Sequence, residues 1–340
     1  MLKKRSSRVL ILIPIVISVL GLALASACAT DASDSTLEAV YNRDSVTIVV
    51  TDSGLGGLSV AAALEKGLRE KLIFRKAEVV FVNALASREY LYNQMNSTAE
   101  KVRVFDSALA GMNRAFEPDL ILIACNTLSV IYPQTSFSRT SGVPVVDVVR
   151  FGVEMMAEEL AEDSSGSVII MGTQTTIDQD THRERLIGLG FDSRRIVTQA
   201  CNMLESEIQN DPASDIVSSM IEMYCWEALE KQSSAYQGNL AVGLCCTHYG
   251  YAFETFDSVL SALTERNVTV VNPNRRMADF VARSELANRY ESTDVTVEVV
   301  SQVELDATDI DAISQAVRQT SPSTAEALAS YRLRTDLFRF

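Results

Sequence analysis

Seven short apolar runs, separated by segments with helical spacing, limit what this chain of 340 residues can fold into. The runs are rich in Val and Ile and carry few polar residues, which is typical of parallel strands buried on both faces of a sheet. In the connecting segments apolar residues recur at helical intervals, for example at Ala108, Leu109 and Met112. The pattern predicts a doubly wound α/β fold. The predicted strands are residues 46–54, 77–84, 119–126, 143–149, 167–173, 239–246 and 268–273.

The composition limits the kinds of partner that the protein is expected to bind. Hydrophobic residues make up 47% of the chain and charged residues 22%, the profile of a packed globular protein. The length allows one large α/β domain or two modest ones. The formal net charge is −14, whereas binding of nucleic-acid phosphates needs clustered Lys and Arg. The sequence therefore argues against a nucleic-acid partner, and we interpret its acidity as a solvated surface.

The first residues differ from the rest of the chain. Basic residues precede an apolar run over 9–25, and small residues lead directly to Cys28. This order is that of a secretory signal peptide, and the cysteine resembles the lipobox of bacterial lipoproteins. The prediction is a signal peptide over 1–27, lipidation at Cys28 and a polar, lipid-anchored tether over 28–45. The protein is then expected to be extracytoplasmic and membrane-anchored, with an uncleaved membrane anchor as the alternative.

Polar residues cluster where the predicted strands end. In open α/β sheets ligands bind at the carboxyl ends of the strands, so these residues are candidates for a binding site. One strand ends in Cys-Asn-Thr in the first half of the chain and another ends in Cys-Thr-His in the second half. This echo predicts two related lobes that face each other. The strand-end residues are Asp52, Ser53, Cys125, Asn126, Thr127, Thr173, Cys246, Thr247 and His248.

Cys125 and Cys246 are the candidate reactive groups. Cys125 lies between a strand and a helix, where the helix dipole and free N–H groups stabilise a thiolate. Cys246 has the same placement, and His248 beside it can act as acid or base near neutral pH. Each has a structural alternative, because a strand-end cysteine is often a core residue and a lone histidine often has only a structural hydrogen bond.

A glycine-rich turn over 54–57 follows Asp52 and Ser53. It does not match G-x-G-x-x-G, and no G-K-[ST] follows, which argues against a loop that binds nucleotide phosphates. The glycines either let the backbone approach a small ligand closely or form only a tight turn.

Other cysteine chemistries fit the sequence poorly. Cys245, Cys246 and His248 lack the further pair of ligands that a zinc site needs, so no metal is predicted. The G-x-S-x-G turn of serine hydrolases and the local signature of papain-like proteases are absent. Disulfides are not expected, since Cys125, Cys245 and Cys246 end apolar strands, and Cys225 is predicted to be a core residue.

Three motifs in order carry a family resemblance: TDSGLGGLSV at 51–60, ACNTLS at 124–129 and CCTHYG at 245–250. Together they closely resemble the glutamate racemase family of the aspartate/glutamate racemase superfamily. The resemblance runs from residue 46 to residue 272. Further matches are Gly172-Thr173-Gln174-Thr175-Thr176 to the family's G-T-x-x-T, Ala200-Cys201 to its A-C-P, and Leu91-Tyr92-Asn93 to its Pro-Tyr-Gly.

The resemblance implies a fold and an activity. The fold would be two pseudo-symmetric, doubly wound parallel-sheet lobes with the active site between them. Residues 46–147 plus 272–340 would form the first lobe, and 148–271 the second. The activity would be interconversion of L- and D-glutamate, without pyridoxal phosphate, any other cofactor or a metal, in support of peptidoglycan and cell wall biogenesis.

The resemblance also assigns roles to residues. Cys125 and Cys246 would be the two acid/base thiols, assisted by Asp52 and His248 respectively. Racemisation needs one base and one acid on opposite faces of the substrate Cα, and helix ends with a neighbouring histidine are expected to lower the thiol pKa from about 8.5. The groups that would hold the substrate's amino and carboxylate groups, besides Asp52 and His248, are Ser53, Tyr92, Asn93, Asn126, Thr127, Thr173, Thr176 and Thr247.

The chain departs from the family pattern at Cys245, at Gly250 and at 149–151. A signal peptide is a further departure, because members that serve cell-wall synthesis are cytoplasmic. The expected substrate is a small acidic amino acid, and Arg150 would pair with its side-chain carboxylate if it faced the cleft; an exposed Arg150 is the alternative. An aspartate or broader amino-acid racemase and a lipid-anchored, two-lobed solute-binding protein are the competing functions. The assembly is left open, with a homodimer as one option.

Overall fold

The computed structural model describes residues 34 to 339, which form two β-sheets covered by helices. The strands are β1 (Ser45–Asp52), β2 (Lys76–Asn83), β3 (Leu120–Ile123), β4 (Val145–Asp147), β5 (Ser167–Gly172), β6 (Ile196–Ala200), β7 (Leu240–Cys245), β8 (Val268–Val271), β9 (Asp294–Ser301) and β10 (Arg332–Leu333). The helices are α1 (Asp34–Tyr41), α2 (Leu58–Lys71), α3 (Thr98–Phe116), α4 (Asn126–Ile131), α5 (Phe137–Thr140), α6 (Val148–Glu162), α7 (Gln174–Asp178), α8 (Thr181–Gly188), α9 (Leu204–Asn210), α10 (Asp215–Glu230), α11 (Phe253–Leu263), α12 (Pro273–Val281), α13 (Ala307–Arg318) and α14 (Pro322–Ala329).

The strands form a six-stranded sheet in the order β10-β9-β2-β1-β3-β4 and a four-stranded sheet in the order β6-β5-β7-β8. Every pairing between neighbouring strands is parallel. The chain builds most of the first sheet, crosses to the second, and returns to add β9 and β10. We call the sheets with their helices the first and the second lobe. The predicted α/β fold of two parallel-sheet lobes is confirmed, and the residue boundaries between the lobes stay a prediction.

Both sheets contain a point where the chain reverses its direction of winding. In the first sheet β1 has β2 on one side and β3 on the other; in the second, β5 has β6 on one side and β7 on the other. The connections on the two sides of such a strand run over opposite faces, which opens a crevice at the carboxyl ends. The crevices therefore lie between the ends of β1 and β3 and between the ends of β5 and β7. Cys125 follows β3, and Cys246 follows β7.

Helix α6 connects the two lobes and shares their cores. Its Phe151 packs in the apolar cluster on one face of the first sheet. Its Met156 and Leu160 belong to a second cluster that contains side chains of both sheets, among them Val49 and Ile170. A third cluster lies under α9, α10 and α11 on the far face of the second sheet. The continuous middle cluster fixes how the lobes face each other, because a packed apolar interior resists a change of volume.

The sequence pattern did not predict strands β6 and β9 or the two-residue strand β10. Strand β6 is an edge strand of its sheet, and its sequence IVTQA is half polar. Strand β9 pairs with β2 along its whole length, but β10 covers only Val300 and Ser301 on its other side. Its first residues are therefore partly exposed, and its sequence DVTVEVVS alternates. Strands β6 and β9 are thus not buried on both sides along their whole length, so they do not need a continuous apolar run.

The predicted tether is wrong for the part that the structure describes. Residues 34–41 form helix α1, and its Leu37, Val40 and Tyr41 are buried in the first core. The Tyr41 hydroxyl donates to the carbonyl of Val281 at 3.0 Å. The spacing of these three residues places them on one helix face, so the segment packs on the first lobe rather than serving as a linker. The predicted signal peptide over 1–27 and the lipidation of Cys28 lie outside the described residues.

Arg195 provides a test of the packing in the second lobe. It is buried, and its guanidinium donates to the carbonyls of Gly166 at 2.7 Å, Leu160 at 2.8 Å and Asp163. An Arg195→Met variant removes these three donated bonds. The carbonyl of Asp163 still accepts from the backbone N–H of Gly166, and each buried acceptor left unsatisfied costs about 1–3 kcal/mol. We expect the free energy of unfolding in urea to fall by about 2–4 kcal/mol. The neighbouring Arg194→Met, at an exposed site, is the control and should leave the midpoint nearly unchanged; equal midpoints for both variants would contradict the assignment.

Candidate active site

A cavity lies between the two lobes at the carboxyl ends of their strands, and its lining contains every predicted site residue except Thr176. Thr176 stands behind the lining, where its hydroxyl is 3.1 Å from that of Thr173. Sequence reasoning missed Glu205, Ser206 and Gln209, which line the cavity from helix α9. A polar face of a helix between two strands gives no signal by itself, since most such faces meet solvent.

The Cys125 thiol lies at the first-lobe crevice, directly before helix α4. Its Sγ is 3.2 Å from the Ser53 hydroxyl, and the residue is buried. Burial and, to a smaller extent, the charge of Asp52 raise the pKa of this thiol to about 12, although the hydrogen bond with Ser53 lowers it in part. The sequence-based expectation of a lowered pKa is therefore wrong for the free protein. Helix α4 has only six residues. The stabilisation that its dipole gives to a thiolate is smaller than the cost of burying that charge.

The Cys246 thiol has the same position in the second lobe. Burial raises its pKa, with further contributions from the charges of Glu205 and Cys125. Its Sγ is 3.9 Å from Nδ1 of His248. Burial lowers the pKa of His248, so the ring is neutral at neutral pH.

Gln209 decides which nitrogen of His248 carries the proton. Its Oε1 accepts from the backbone N–H of Leu55 at 3.1 Å, which identifies that atom as the oxygen. The same oxygen lies 2.9 Å from Nε2 of His248, so Nε2 must donate. In the neutral ring Nδ1 then has a free lone pair, and it is this atom that faces the Cys246 thiol. His248 is thus arranged as a proton acceptor for Cys246.

Asp52 joins the two lobes. Its Oδ1 accepts from the backbone N–H of Gly54 at 3.0 Å, and its Oδ2 accepts from the hydroxyl of Thr247 at 2.7 Å. Asp52 and Thr247 are both almost fully buried. Charge-assisted hydrogen bonds of this kind are roughly twice as strong as neutral ones. The bond connects the crevice of β1 with the turn that carries His248.

The floor of the cavity offers donors. His182 is buried and its pKa is lowered to about 3 by burial, so it is neutral, and its Nε2 is 3.1 Å from Oδ1 of Asn126. Within the described residues Nδ2 of Asn126 has no partner. The hydroxyls of Thr127 and Thr173 are 2.8 Å apart. Asn126 therefore has a donor available for a carboxylate.

Tyr92 and Asn93 line the cavity, but their polar atoms are already engaged. The Tyr92 hydroxyl donates to the carbonyl of Ala84 at 3.2 Å. The Asn93 amide bonds to Thr175 and Glu205. Their predicted contact with the substrate is thus limited to backbone atoms and to van der Waals packing.

Arg150 does not reach the cavity. It pairs with Glu154 at 2.8 Å, one helical turn away on α6, and its guanidinium lies over the rings of Phe151 and Phe280. The alternative of an Arg150 outside the cleft is the one that the structure supports. Cys245 is buried in the core shared by the two sheets, away from the lining.

The glycine-rich turn serves the contact between the lobes. A Cβ at Gly56 would lie 2.6 Å from the Thr247 hydroxyl, 2.6 Å from Nδ1 of His248 and 2.8 Å from the backbone nitrogen of His248. Gly54 also borders Gln209 and His248. The close approach predicted from the glycines is thus made to the opposite lobe, and the turn lies against the residues that hold Cys246.

Sequence comparison finds curated glutamate racemases. That of Syntrophus aciditrophicus (strain SB) is 27% identical over 235 residues, which are 69% of this chain and 78% of that protein. That of Streptococcus agalactiae serotype III (strain NEM316) is 27% identical over 220 residues, which are 64% of this chain and 75% of that protein. No family model matches the chain.

Structure comparison finds the same fold in solved glutamate racemases. The enzyme of Francisella tularensis subsp. tularensis SCHU S4, in complex with D-glutamate, aligns with a TM-score of 0.60 at 19% identity and covers 82% of this chain and 94% of that one. Isoform RacE1 of Bacillus anthracis aligns with a TM-score of 0.59 at 18% identity and covers 86% and 96%. The chain is therefore similar in sequence to glutamate racemases and shares their fold. These homologues indicate that it is an isomerase of the racemase type.

The comparisons contradict the predicted location. The relatives are glutamate racemases, which are cytoplasmic enzymes, and this contradicts the prediction of an extracytoplasmic, membrane-anchored protein. Between residues 34 and 339 no helix combines the length and apolar character that a membrane crossing requires.

Replacing Gly56 with Ala tests the contact between the lobes. The added methyl group clashes with Thr247 and His248, so the lobes must separate or the turn must shift by about an ångström. Misplacing reacting groups by that distance costs about 100-fold in rate. We expect kcat/KM for racemisation to fall by about that factor, whereas most of the folding stability should be kept. The racemisation rate is measured from the change in circular dichroism of an amino-acid solution. Gly142→Ala, where the new Cβ meets nothing within 4 Å, is the control; activity of Gly56→Ala within twofold of the control would contradict this.

Proposed function

We propose that the protein interconverts L- and D-glutamate by proton transfer at Cα between Cys125 and Cys246. One observation carries the proposal: the two thiols occupy matching crevices of two sheets that face each other across one cavity. Inversion of a stereocentre needs a base on one face of the carbon and an acid on the other. Two like groups suit a reversible reaction, because each must act as base in one direction and as acid in the other.

The proton balance of the reaction is simple. A thiolate on one face takes the Cα proton and becomes a thiol, while the thiol on the other face gives its proton to Cα and becomes a thiolate. No net proton is gained or lost, and the enzyme ends with the roles of its two cysteines exchanged. His248 Nδ1 is placed to take the proton of Cys246, and Ser53 bonds to Cys125.

The substrate itself supplies the positive charge that the cavity lacks. No Arg or Lys lines the described cavity, whereas Asp52 and Glu205 do. In the free protein both thiols are therefore kept neutral by burial. An α-ammonium group that enters between them brings the opposite charge within reach, which favours the thiolate. Activation of the thiols is thus coupled to binding of an amino acid.

The α-carboxylate is assigned to the donors of the first lobe and their neighbours. Nδ2 of Asn126 has no partner among the described residues, and the hydroxyls of Thr127 and Thr173 lie together beside it. Thr176 orients Thr173 from behind. Donors aimed at this group also stabilise the charge that spreads from Cα to the carboxylate in the transition state.

Glutamate is the proposed substrate because the relatives are glutamate racemases, and supply of the D-form for peptidoglycan is the proposed role. An aspartate or broader amino-acid racemase is the competing function, since Leu91 and Asn93 depart from the family's Pro-Tyr-Gly. The comparisons lend no support to a lipid-anchored solute-binding protein.

Single cysteine variants test the two-thiol mechanism. In D₂O the wild type should incorporate solvent deuterium at Cα of both L- and D-glutamate and equilibrate the two. Cys125→Ala and Cys246→Ala should each lower racemisation by at least about 10²–10⁴-fold, the usual contribution of one acid/base group. Cys245→Ala, beside the second thiol but outside the lining, is the matched control and should stay active. Full activity in either active-site variant would refute the mechanism.

The raised pKa of both thiols predicts how they react with iodoacetamide in the free protein. A group with a raised pKa gains its thiolate form only as the pH rises, so alkylation of Cys125 should increase up to at least pH 10 without a plateau. Glutathione, an ordinary thiol, should reach half of its maximal rate near its own pKa of about 8.5–9 and level off above it. Mass spectrometry of the peptides that contain Cys125 and Cys246 measures the alkylation rate of each thiol. A plateau below pH 8 would show instead that the helix ends lower the thiol pKa.

A further inference from the structure

Glu205 is a cleft carboxyl group that neither the motifs nor the proposed mechanism uses. It lies in the first turn of helix α9 and lines the cavity. Its Oε1 accepts from Nδ2 of Asn93 at 3.2 Å. Its Oε2 is buried and has no hydrogen-bond partner among the described residues. A buried polar atom without a partner costs free energy, so this oxygen is a position where a ligand group can bind with gain.

A chain of hydrogen bonds fixes the orientation of this carboxyl. Nζ of Lys101 donates to the Thr175 hydroxyl at 2.6 Å, and that hydroxyl lies 2.7 Å from Oδ1 of Asn93. An ammonium can only donate, so the hydroxyl passes its own proton on to Oδ1. The amide nitrogen of Asn93 is then left for Glu205, whose Oε1 must accept. Oε2 is therefore the atom that either carries a proton or bears the negative charge.

The chain of bonds also holds Glu205 in place across the cleft. Lys101 and Asn93 belong to the first lobe, whereas Thr175 and Glu205 belong to the second, so each bond passes from one lobe to the other. A group fixed in this way loses little conformational entropy when it binds a ligand. This geometry suits a residue that recognises one part of a substrate.

The surroundings of Glu205 favour its neutral form. Burial raises its pKa, which the bond from Asn93 partly offsets. The titratable groups near it on other elements are Cys201, Tyr224, Cys246 and Tyr249, all with a raised pKa and therefore neutral at neutral pH. The charged groups are the Lys101 ammonium at the far end of the hydrogen-bond chain and the Asp52 carboxylate among the other lining residues. No cation in the described lining meets a second substrate carboxylate.

We propose that Glu205 is a specificity-determining residue that receives the side-chain carboxylate of the substrate through a proton held on its Oε2. The proposal rests on the proposed function, because it takes an acidic amino acid as the substrate. A neutral carboxyl donates from Oε2 to a carboxylate and still accepts at Oε1 from Asn93. It replaces the guanidinium that Arg150 would have supplied. Binding of glutamate then takes up a proton whenever Glu205 is ionised in the free protein.

The competing arrangement has Glu205 ionised in the complex. Its Oε2 would then accept from a side-chain donor, and a carboxamide such as that of glutamine would bind in preference to a carboxylate. Glutamate and glutamine differ only in this terminal group, so the two arrangements predict opposite orders of affinity at alkaline pH.

Calorimetry in buffers of different ionisation enthalpy tests the proposal on the full chain. Uptake of protons by D-glutamate should increase from neutral pH toward about one proton at about pH 9, because the raised pKa keeps Glu205 neutral in the free protein at the lower pH, whereas D-glutamine should take up none. The Kd of D-glutamate should rise with pH, because the neutral form of Glu205 is lost as the pH increases. Absence of proton uptake over the whole range up to about pH 9, no detectable binding of D-glutamate at millimolar concentration, or tighter binding of D-glutamine would overturn the proposal.

Variants of the same helix separate Glu205 from the other titrating groups. Glu205→Gln keeps a donor at this position, so it should bind D-glutamate with a Kd within about threefold of the wild type at neutral pH but without proton uptake or pH dependence. Glu205→Ala should raise the Kd of D-glutamate at least tenfold and leave that of D-alanine unchanged. Glu207→Gln, outside the cavity lining, is the matched control. Proton uptake that persists in Glu205→Gln would assign it to another group, such as His248, and would overturn the proposal.

Exchange of the Cα proton keeps this test apart from that of the proposed function. Deuterium incorporation into any amino acid reports the two-thiol chemistry, whereas the calorimetry reports only recognition of the side chain. Loss of exchange with normal proton uptake would count against the racemase mechanism alone. Normal exchange without proton uptake would count against Glu205 alone.

Discussion

The contact between Asp52 and Thr247 is the interaction on which the site depends. Both residues are buried, and their hydrogen bond of 2.7 Å joins the end of β1 to the turn that carries His248. Gly56 makes the bond possible, because any side chain there would occupy the space of Thr247 and His248. Two thiols on separate sheets can act on one carbon only if the sheets keep a fixed distance. The hydrogen bond between Asp52 and Thr247 and the close approach allowed by Gly56 hold the two sheets at that distance. The apolar core around α6, which contains side chains of both sheets, restrains them further.

Burial has opposite consequences for fold and chemistry. It stabilises the packed sheets, but it also holds Cys125 and Cys246 in their neutral forms. The described lining contains no Arg or Lys, so the positive charge in the cavity has to come from the ligand. Donors such as Asn126 are then left to bind the ligand's carboxylate. In the proposed mechanism the thiols become reactive only when an amino acid fills the cavity. Glu205 extends the same logic to the side chain, where a shared proton takes the place of a cation.

Several errors of the sequence interpretation have a common physical origin. The position of Arg150 was left open and Glu205 was missed, because the direction of a side chain depends on neighbours far away in the chain. The pKa of Cys125 was expected to fall because the helix end was visible in the sequence, whereas the depth of burial was not. The apolar face of α1 was present at Leu37, Val40 and Tyr41, but it lay within a segment of tether-like composition.

The sequence by itself determined the parallel α/β architecture and the two strand-end cysteines with most of their neighbours. Strand burial shows directly in runs of Val and Ile, and the motifs are contiguous, so local order is enough to find them. Only the tertiary structure decided which lobe Gly56 approaches, which nitrogen of His248 is protonated, and that α9 brings Glu205 and Gln209 into the cavity. Each of these depends on contacts between residues more than thirty positions apart, such as Leu55 with Gln209. Their geometry is set by how the two sheets pack, which no local pattern records.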